Sequence, residues 1–170
     1  MAISLKVSDV MKGITPNPEY EGFATNDDYI LAIKTEESQA SENDYIVLQT
    51  GVTGHEASLN PVTTDSQYIR TGLVTTKTGT QRTLTISGER YEGDAFQDFC
   101  MSHAIKFGHG SAVVVPYIYF CMLTGKGEKG NAALIVSDDQ TGEAGSNAGF
   151  SAELRSTSTP SEYTYQAPSE

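Results

Sequence analysis

Gly125-Lys-Gly-Glu-Lys-Gly130 spells G-x-G-x-x-G, the pattern whose glycines let a turn close against the pyrophosphate of a dinucleotide. That chemistry needs a helix directly after the turn, because the helix N-terminus presents the amides that hold the phosphates. Here Asn131-Ala-Ala-Leu-Ile-Val-Ser137 follows, which reads as a strand with no βαβ unit around it, so residues 125 to 130 are expected to form a connecting loop. Cys100 and His103 stand three residues apart, with His109 and Cys121 further on. Zinc sites use a tight chelating pair in each half, and here an apolar strand splits the second half. Both cysteines are expected in the core, reduced. Asp138, Asp139 and Glu143 lie near glycines but miss the alternating ligands of a calcium loop, so a solvated loop is expected. His55, His103 and His109 accompany many serines without a G-x-S-x-G elbow. Carboxylate pairs suited to glycoside hydrolysis arise by chance among 22 acidic residues. The sequence therefore assigns no catalytic residue, no cofactor and no metal.

The elements that would position any site are mostly strands. The 170 residues suffice for one domain with a real core. A formal charge of −11 argues against attraction to a nucleic-acid backbone. The longest apolar run, residues 112 to 123, is too short for a membrane span and contains Pro116, so no membrane partner is expected. The first nine residues carry neither a basic leader nor a sustained apolar stretch, which points to the cytoplasm as the place of synthesis.

Ile3, Leu5 and Val7 alternate with polar residues, which predicts an N-terminal strand or arm that gives way to a Gly- and Pro-containing loop by residue 29. Strands are expected at 29 to 34 and 44 to 50, separated by an acidic surface loop at 36 to 43. Further strands at 67 to 76 and 81 to 90 are expected to form a hairpin turning at Lys77-Thr-Gly-Thr80, with residues 55 to 66 as a loop before it. One helix is expected over about 94 to 107, with Asp94 and Gln97 forming a capping box. A strand at 111 to 123, bent or bulged at Pro116, precedes strands at 131 to 137 and 148 to 154. The fold expected is mainly β, a sandwich or partly open barrel with one flanking helix. Residues 1 to 156 are expected to form the domain, with 1 to 29 as arm and loop, and 157 to 170 read as a C-terminal arm or disordered tail that orders only on a partner.

The run Thr83-Leu-Thr-Ile-Ser-Gly-Glu-Arg-Tyr-Glu-Gly-Asp-Ala-Phe-Gln-Asp-Phe99 resembles the strand, acidic bend and helix entry of the tail tube proteins of long-tailed bacteriophages. Residues 130 to 154, a strand and a Gly-rich acidic connection before Phe150-Ser-Ala-Glu-Leu154, are similar to that family's closing pair of strands. The resemblance implies a structural virion protein of the tail, assembled in the host cytoplasm. Its subunits form hexameric rings that stack into a tube, with a tape measure protein and terminator and initiator proteins as further partners. DNA passes through without specific binding. Acidic residues expected to line the channel are Glu56, Asp65 and Glu89. Ile3, Leu5, Val7, Glu36, Glu37, Glu42 and Tyr163 are expected at contacts between subunits or rings. On this view residues 1 to 12, or 36 to 43, could be deleted to leave folded monomers that no longer polymerise. The alternatives are the inner tube of a contractile tail or secretion apparatus and, from another class, a carbohydrate-binding sandwich; the absence of Trp disfavours the last.

Overall fold

The computed structural model describes residues 4 to 169. A short helix α1 (Val7–Val10) leads into strands β1 (Tyr29–Ile33), β2 (Ile46–Val47), β3 (Val52–Ser58), β4 (Pro61–Tyr68), β5 (Gly72–Thr80) and β6 (Thr83–Glu89). Helices α2 (Ala95–Cys100) and α3 (His103–Phe107) follow, then β7 (Val114–Cys121), β8 (Lys126–Thr141), β9 (Gly149–Ser156) and β10 (Ser161–Thr164). Eight of these strands form one antiparallel sheet in the order β2-β1-β7-β8-β9-β6-β3, with β10 also on β8. β4 and β5 form a separate two-stranded ribbon.

The two edge strands, β2 and β3, are consecutive in the chain and joined only by residues 48 to 51, so the sheet has to curl until its edges approach each other. Contacts across the curl follow: Asn26 Nδ2 donates to the His55 carbonyl at 3.2 Å, and the His55 ring packs edge-on to Tyr119, 5.7 Å between centroids. The result is the expected partly open barrel, mainly β, with helices on its flank.

Alternation divides the side chains between two cores. Inside the curl, Leu31, Ile33, Leu84, Ile86, Tyr117, Leu134, Phe150 and Leu154 pack with Phe96, Cys100 and Ile105 from the helices. Outside it, over β2, β1 and β7, Val47, Ile30, Ala32, Ile118 and Phe120 are covered by Val7, Met11 and Tyr163. Cys100 and Cys121 are free and buried, and burial pushes the Cys100 thiol far up, which keeps it protonated.

Several expectations need correcting. The expected N-terminal strand is a single bridge, Lys6 to Ile46, followed by α1. Deleting residues 1 to 12 would remove Val7 and Met11, 0% and 2% exposed, from the second core, so a folded monomer is not the expected outcome. The hairpin turns at residues 69 to 71, not at 77 to 80. Arg70 takes φ 67° and Gly72 φ 84° at the tip, and Gly79 sits instead beside a bulge where the register shifts between Val62 and Thr63. Residues 55 to 66 are thus strand for most of their length. Pro116 causes no bulge in β7, because β1 ends at Ile33, opposite Tyr117, and leaves Pro116 beyond that ladder. Of the expected loop at 125 to 130 all but Gly125 falls within β8, a 16-residue strand, as do Asp138 and Asp139 of the expected acidic loop, whereas Glu143 lies in the loop that follows. The expected tail forms β10, which continues β9 along the same edge of β8 and buries Tyr163 against Phe120.

The expected single helix is two, broken at Met101 and Ser102, where Ser102 takes extended backbone and its Oγ donates to the Phe99 carbonyl at 2.8 Å. The capping box is half present. Asp94 accepts from the Gln97 amide at 3.1 Å, but the Gln97 side chain turns away from the cap. It is 0% exposed, donates to the carbonyls of Thr50 and Glu89, and accepts from the Tyr91 amide at 2.8 Å and from Arg90. Gln97 thereby ties the β2–β3 connection, the end of β6 and α2 together. Gln97→Leu keeps the volume and orphans those groups, each costing about 1–3 kcal/mol when buried. We expect urea unfolding to show a loss of about 3–5 kcal/mol.

Candidate assembly surface

The inward-facing halves of β6, β9 and β8 are core, and β3 adds the partly buried Val52, so alternation sends the other half of these strands outward, where among the described residues no other element covers it. One row across this face runs Glu56, Thr85, Glu153, Ile135, each opposite the next. The adjacent row runs Gly54, Ser87, Ser151, Asp138. Glu89 lies at its margin, held by Asn147 Nδ2 at 3.0 Å, and Arg155 pairs with Glu153 at 2.9 Å. The face is a bare sheet of small hydroxyl side chains with four carboxylates, Glu56, Glu89, Asp138 and Glu153, against one guanidinium. Charged groups so placed stay solvated and repel polyanions.

Two of the three expected channel carboxylates, Glu56 and Glu89, thus share this face. Asp65 does not; it sits on the ribbon and accepts from Thr75 Oγ1 at 2.7 Å. The sequence reading missed Glu153 and Asp138. The alternation of residues 148 to 154 already pointed Glu153 away from Phe150 and Leu154, whereas Asp138 was hidden by taking β8 to end at residue 137. Asp139, one residue on, faces the helices and pairs with Lys106 at 2.8 Å, which holds its carboxyl below the usual range.

The second exposed feature is the β4–β5 ribbon. It packs on no other strand, and Val62, Tyr68, Ile69 and Leu73 are all exposed along it. A lone two-stranded ribbon is marginal in water, so an apolar surface of this kind is incomplete without a partner.

The expected contact residues scatter. Ile3 lies outside the described residues. Leu5 is half-buried, and its carbonyl accepts from the Val47 amide at 2.8 Å. Val7 and Tyr163 are buried in the chain's own second core and offer a neighbour no surface, a correction forced by α1 and β10; burial also pushes the Tyr163 hydroxyl up to about 12. Glu36 and Glu37 are exposed in the loop after β1, with Lys34 3.9 Å from Glu37. Glu42 pairs with Lys129 at 3.1 Å, its carboxyl held below the usual range first by hydrogen bonding to the backbone and then by Lys129.

No family model and no curated protein sequence matches the chain. Among solved structures it superposes on a chain from the tail of an empty gene transfer agent particle, obtained by helical refinement with C6 symmetry, at a TM-score of 0.60 and 14% identity. The match covers 84% of this chain and 100% of that one. The chain has a tail-tube-like fold. A chain from the virion of a native gene transfer agent particle shares the tail-tube-like fold at a TM-score of 0.57 and 15% identity, again over 84% of this chain and 100% of the other. At such identity what is shared is the backbone arrangement, so the tail-tube-like fold frames the bare acidic face and the ribbon without assigning them roles.

Proposed function

We propose that this protein is the repeating structural subunit of a phage-like tail tube. Six copies close into a ring, rings stack head to tail, and the bare face of β3, β6, β9 and β8 lines a channel for DNA. The observation that carries the reading is that face: one side of the sheet is packed by the chain's own helices, and the other is left polar, acidic and uncovered in a tail-tube-like fold. A wall of this kind repels phosphate and lets a duplex slide without adhering. Ring closure satisfies the free backbone groups of the edge strands, and heterologous stacking extends the ring as a filament. The ribbon replaces the expected loop at 55 to 66 as the main element for reaching a neighbour. Assembly takes place in the host cytoplasm, around a tape measure protein, with terminator and initiator proteins at the tube ends. The role is structural and not catalytic.

Electron microscopy of the concentrated protein, with light scattering for mass, tests the reading: hollow tubes with sixfold end views are expected, and a monomer under all conditions, including addition of tail initiator components, would remove it. The channel assignment has its own test. The triple variant Glu56→Lys, Glu89→Lys, Glu153→Lys changes two exposed positions and one half-buried one, none of them in either core, so tubes should still form. We expect those tubes to retain DNA in co-sedimentation at low salt and to lose it as salt rises, while wild-type tubes retain none. Equal DNA retention by both would place the face away from the channel.

A further inference from the structure

The charge of the chain is unevenly distributed. Two of its eleven basic residues, Arg70 and Lys77, and one of its 22 acidic residues, Asp65, lie on residues 59 to 80, so this ribbon carries +1 and the rest of the chain −12. The ribbon is also where the apolar surface is exposed: Tyr68, Ile69 and Leu73 at its tip are 57%, 87% and 68% exposed. Arg70, between them, has neither hydrogen bond nor ion pair among the described residues. The ribbon is therefore an apolar tip with a free cation at its apex.

The body carries an apolar cleft with an acidic residue on its rim. A cleft of about 350 Å³ opens between the two edges of the curled sheet, walled by Ile30, Val47, Leu48, Val52 and Met122. Asp27 stands on its rim, exposed and without a hydrogen bond or ion pair among the described residues. His55 also lines it, its Nε2 buried with no hydrogen-bond partner. The larger groove between residues 41 to 44 and 162 to 169 is lined mainly by polar groups and suits an apolar tip less well. The ribbon cannot fill its own cleft. Its eight-residue strand, at about 3.3 Å per residue, carries the tip roughly 26 Å from a base that adjoins β3, the wall of that cleft.

We infer that the ribbon tip of one copy docks in the edge cleft of a second copy, Ile69 and Leu73 entering the apolar walls and Arg70 pairing with Asp27 on the rim. The inference rests on the tube reading and specifies the contact that joins its subunits. It makes the ribbon a donor and the cleft an acceptor, a heterologous contact that propagates along a tube. Opposite charge at the rim fixes the register, and burial of the tip supplies the attraction.

Charge exchange tests the pairing. Arg70→Asp suits the left-handed backbone at the tip, since Asp tolerates positive φ, and Asp27→Arg alters an exposed side chain. Circular dichroism and melting should show both variants folded like the wild type. Each alone is expected to lower the sedimentable polymer at least tenfold, and the double variant to restore most of it. A double variant as dispersed as the singles, or an Asp27→Arg protein that polymerises normally, would overturn the docking while leaving the tube reading intact. A second measurement does not need tubes. Ile69→Cys and Gln49→Cys variants, Gln49 being exposed at the cleft, are mixed at high concentration and oxidised. A mixed covalent dimer, absent when either variant is oxidised alone, is expected, the native cysteines being buried. Its absence would overturn the docking even if the wild type forms no polymer, a result that would count separately against the tube reading.

Discussion

Replacing residues 61 to 80 with a single glycine is expected to give a folded monomer that forms no tubes at any concentration. The excision is possible because the ends of the ribbon already meet. The Leu59 carbonyl accepts from the Gln81 amide at 3.0 Å, as the ends of a β-turn do, and Asn60 already sits at φ 42°. Asn60 followed by glycine is a pairing that such tight turns favour, and Asn60 Nδ2 still reaches Thr83 Oγ1 at 2.8 Å. The ribbon supplies none of the side chains in either core, so melting should change by no more than a few degrees. Assembly, in contrast, should fall below detection by sedimentation and microscopy. A shortened protein that still built tubes would show that the ribbon is not the joining element; one that failed to fold would contradict the separation of ribbon from core.

The second large effect lies in the glycines of residues 125 to 130, which look like a nucleotide-binding turn and serve strand packing. Gly127 lies on β8 directly opposite Phe120. A Cβ there would stand 2.1 Å from the Tyr119 carbonyl oxygen and 2.4 Å from the Phe120 Cα, both backbone atoms of a central strand that cannot move aside. Gly127→Val is expected to cost upwards of about 4 kcal/mol, seen as insoluble protein or a melting point lower by at least roughly 10 °C. Gly130 provides the contrast. Its nearest neighbour to a new Cβ is Pro160 at 3.5 Å, an ordinary contact, so Gly130→Ala should stay within about 1 kcal/mol of wild type. Similar losses from both variants would contradict this account of the motif.

Much of the architecture was legible in local pattern. Leu84 and Ile86 alternating with Thr83, Thr85 and Ser87, and Phe150, Ala152 and Leu154 alternating with their polar neighbours, specified two strands and their inward faces, because the side-chain period of a strand is two whatever it pairs with. Asp94 marked the start of α2, since a capping carboxylate acts on amides only three residues away. The acidic balance and the mainly β character were likewise matters of composition and short-range spacing.

What the sequence left open depends on distant partners. Glycine in 125 to 130 signals a turn when read locally; only the approach of β7 shows that Gly127 is required by a neighbouring backbone. Lys77-Thr-Gly-Thr80 and Ile69-Arg-Thr-Gly72 are both acceptable turns by composition, and the pairing of Pro61 with Thr80 decided between them. Val7 and Tyr163 read as contact residues from their places in the terminal segments; α1 and β10 bury them against β1 and β7, although they stand about 150 residues apart in sequence. Glu56, Glu89, Asp138 and Glu153 came together through the registers of four strands. Residue type and alternation fixed which side chains turn outward, while the long-range pairing of the sheet decided which of them share one face, because that depends on register between segments that the chain order does not reveal.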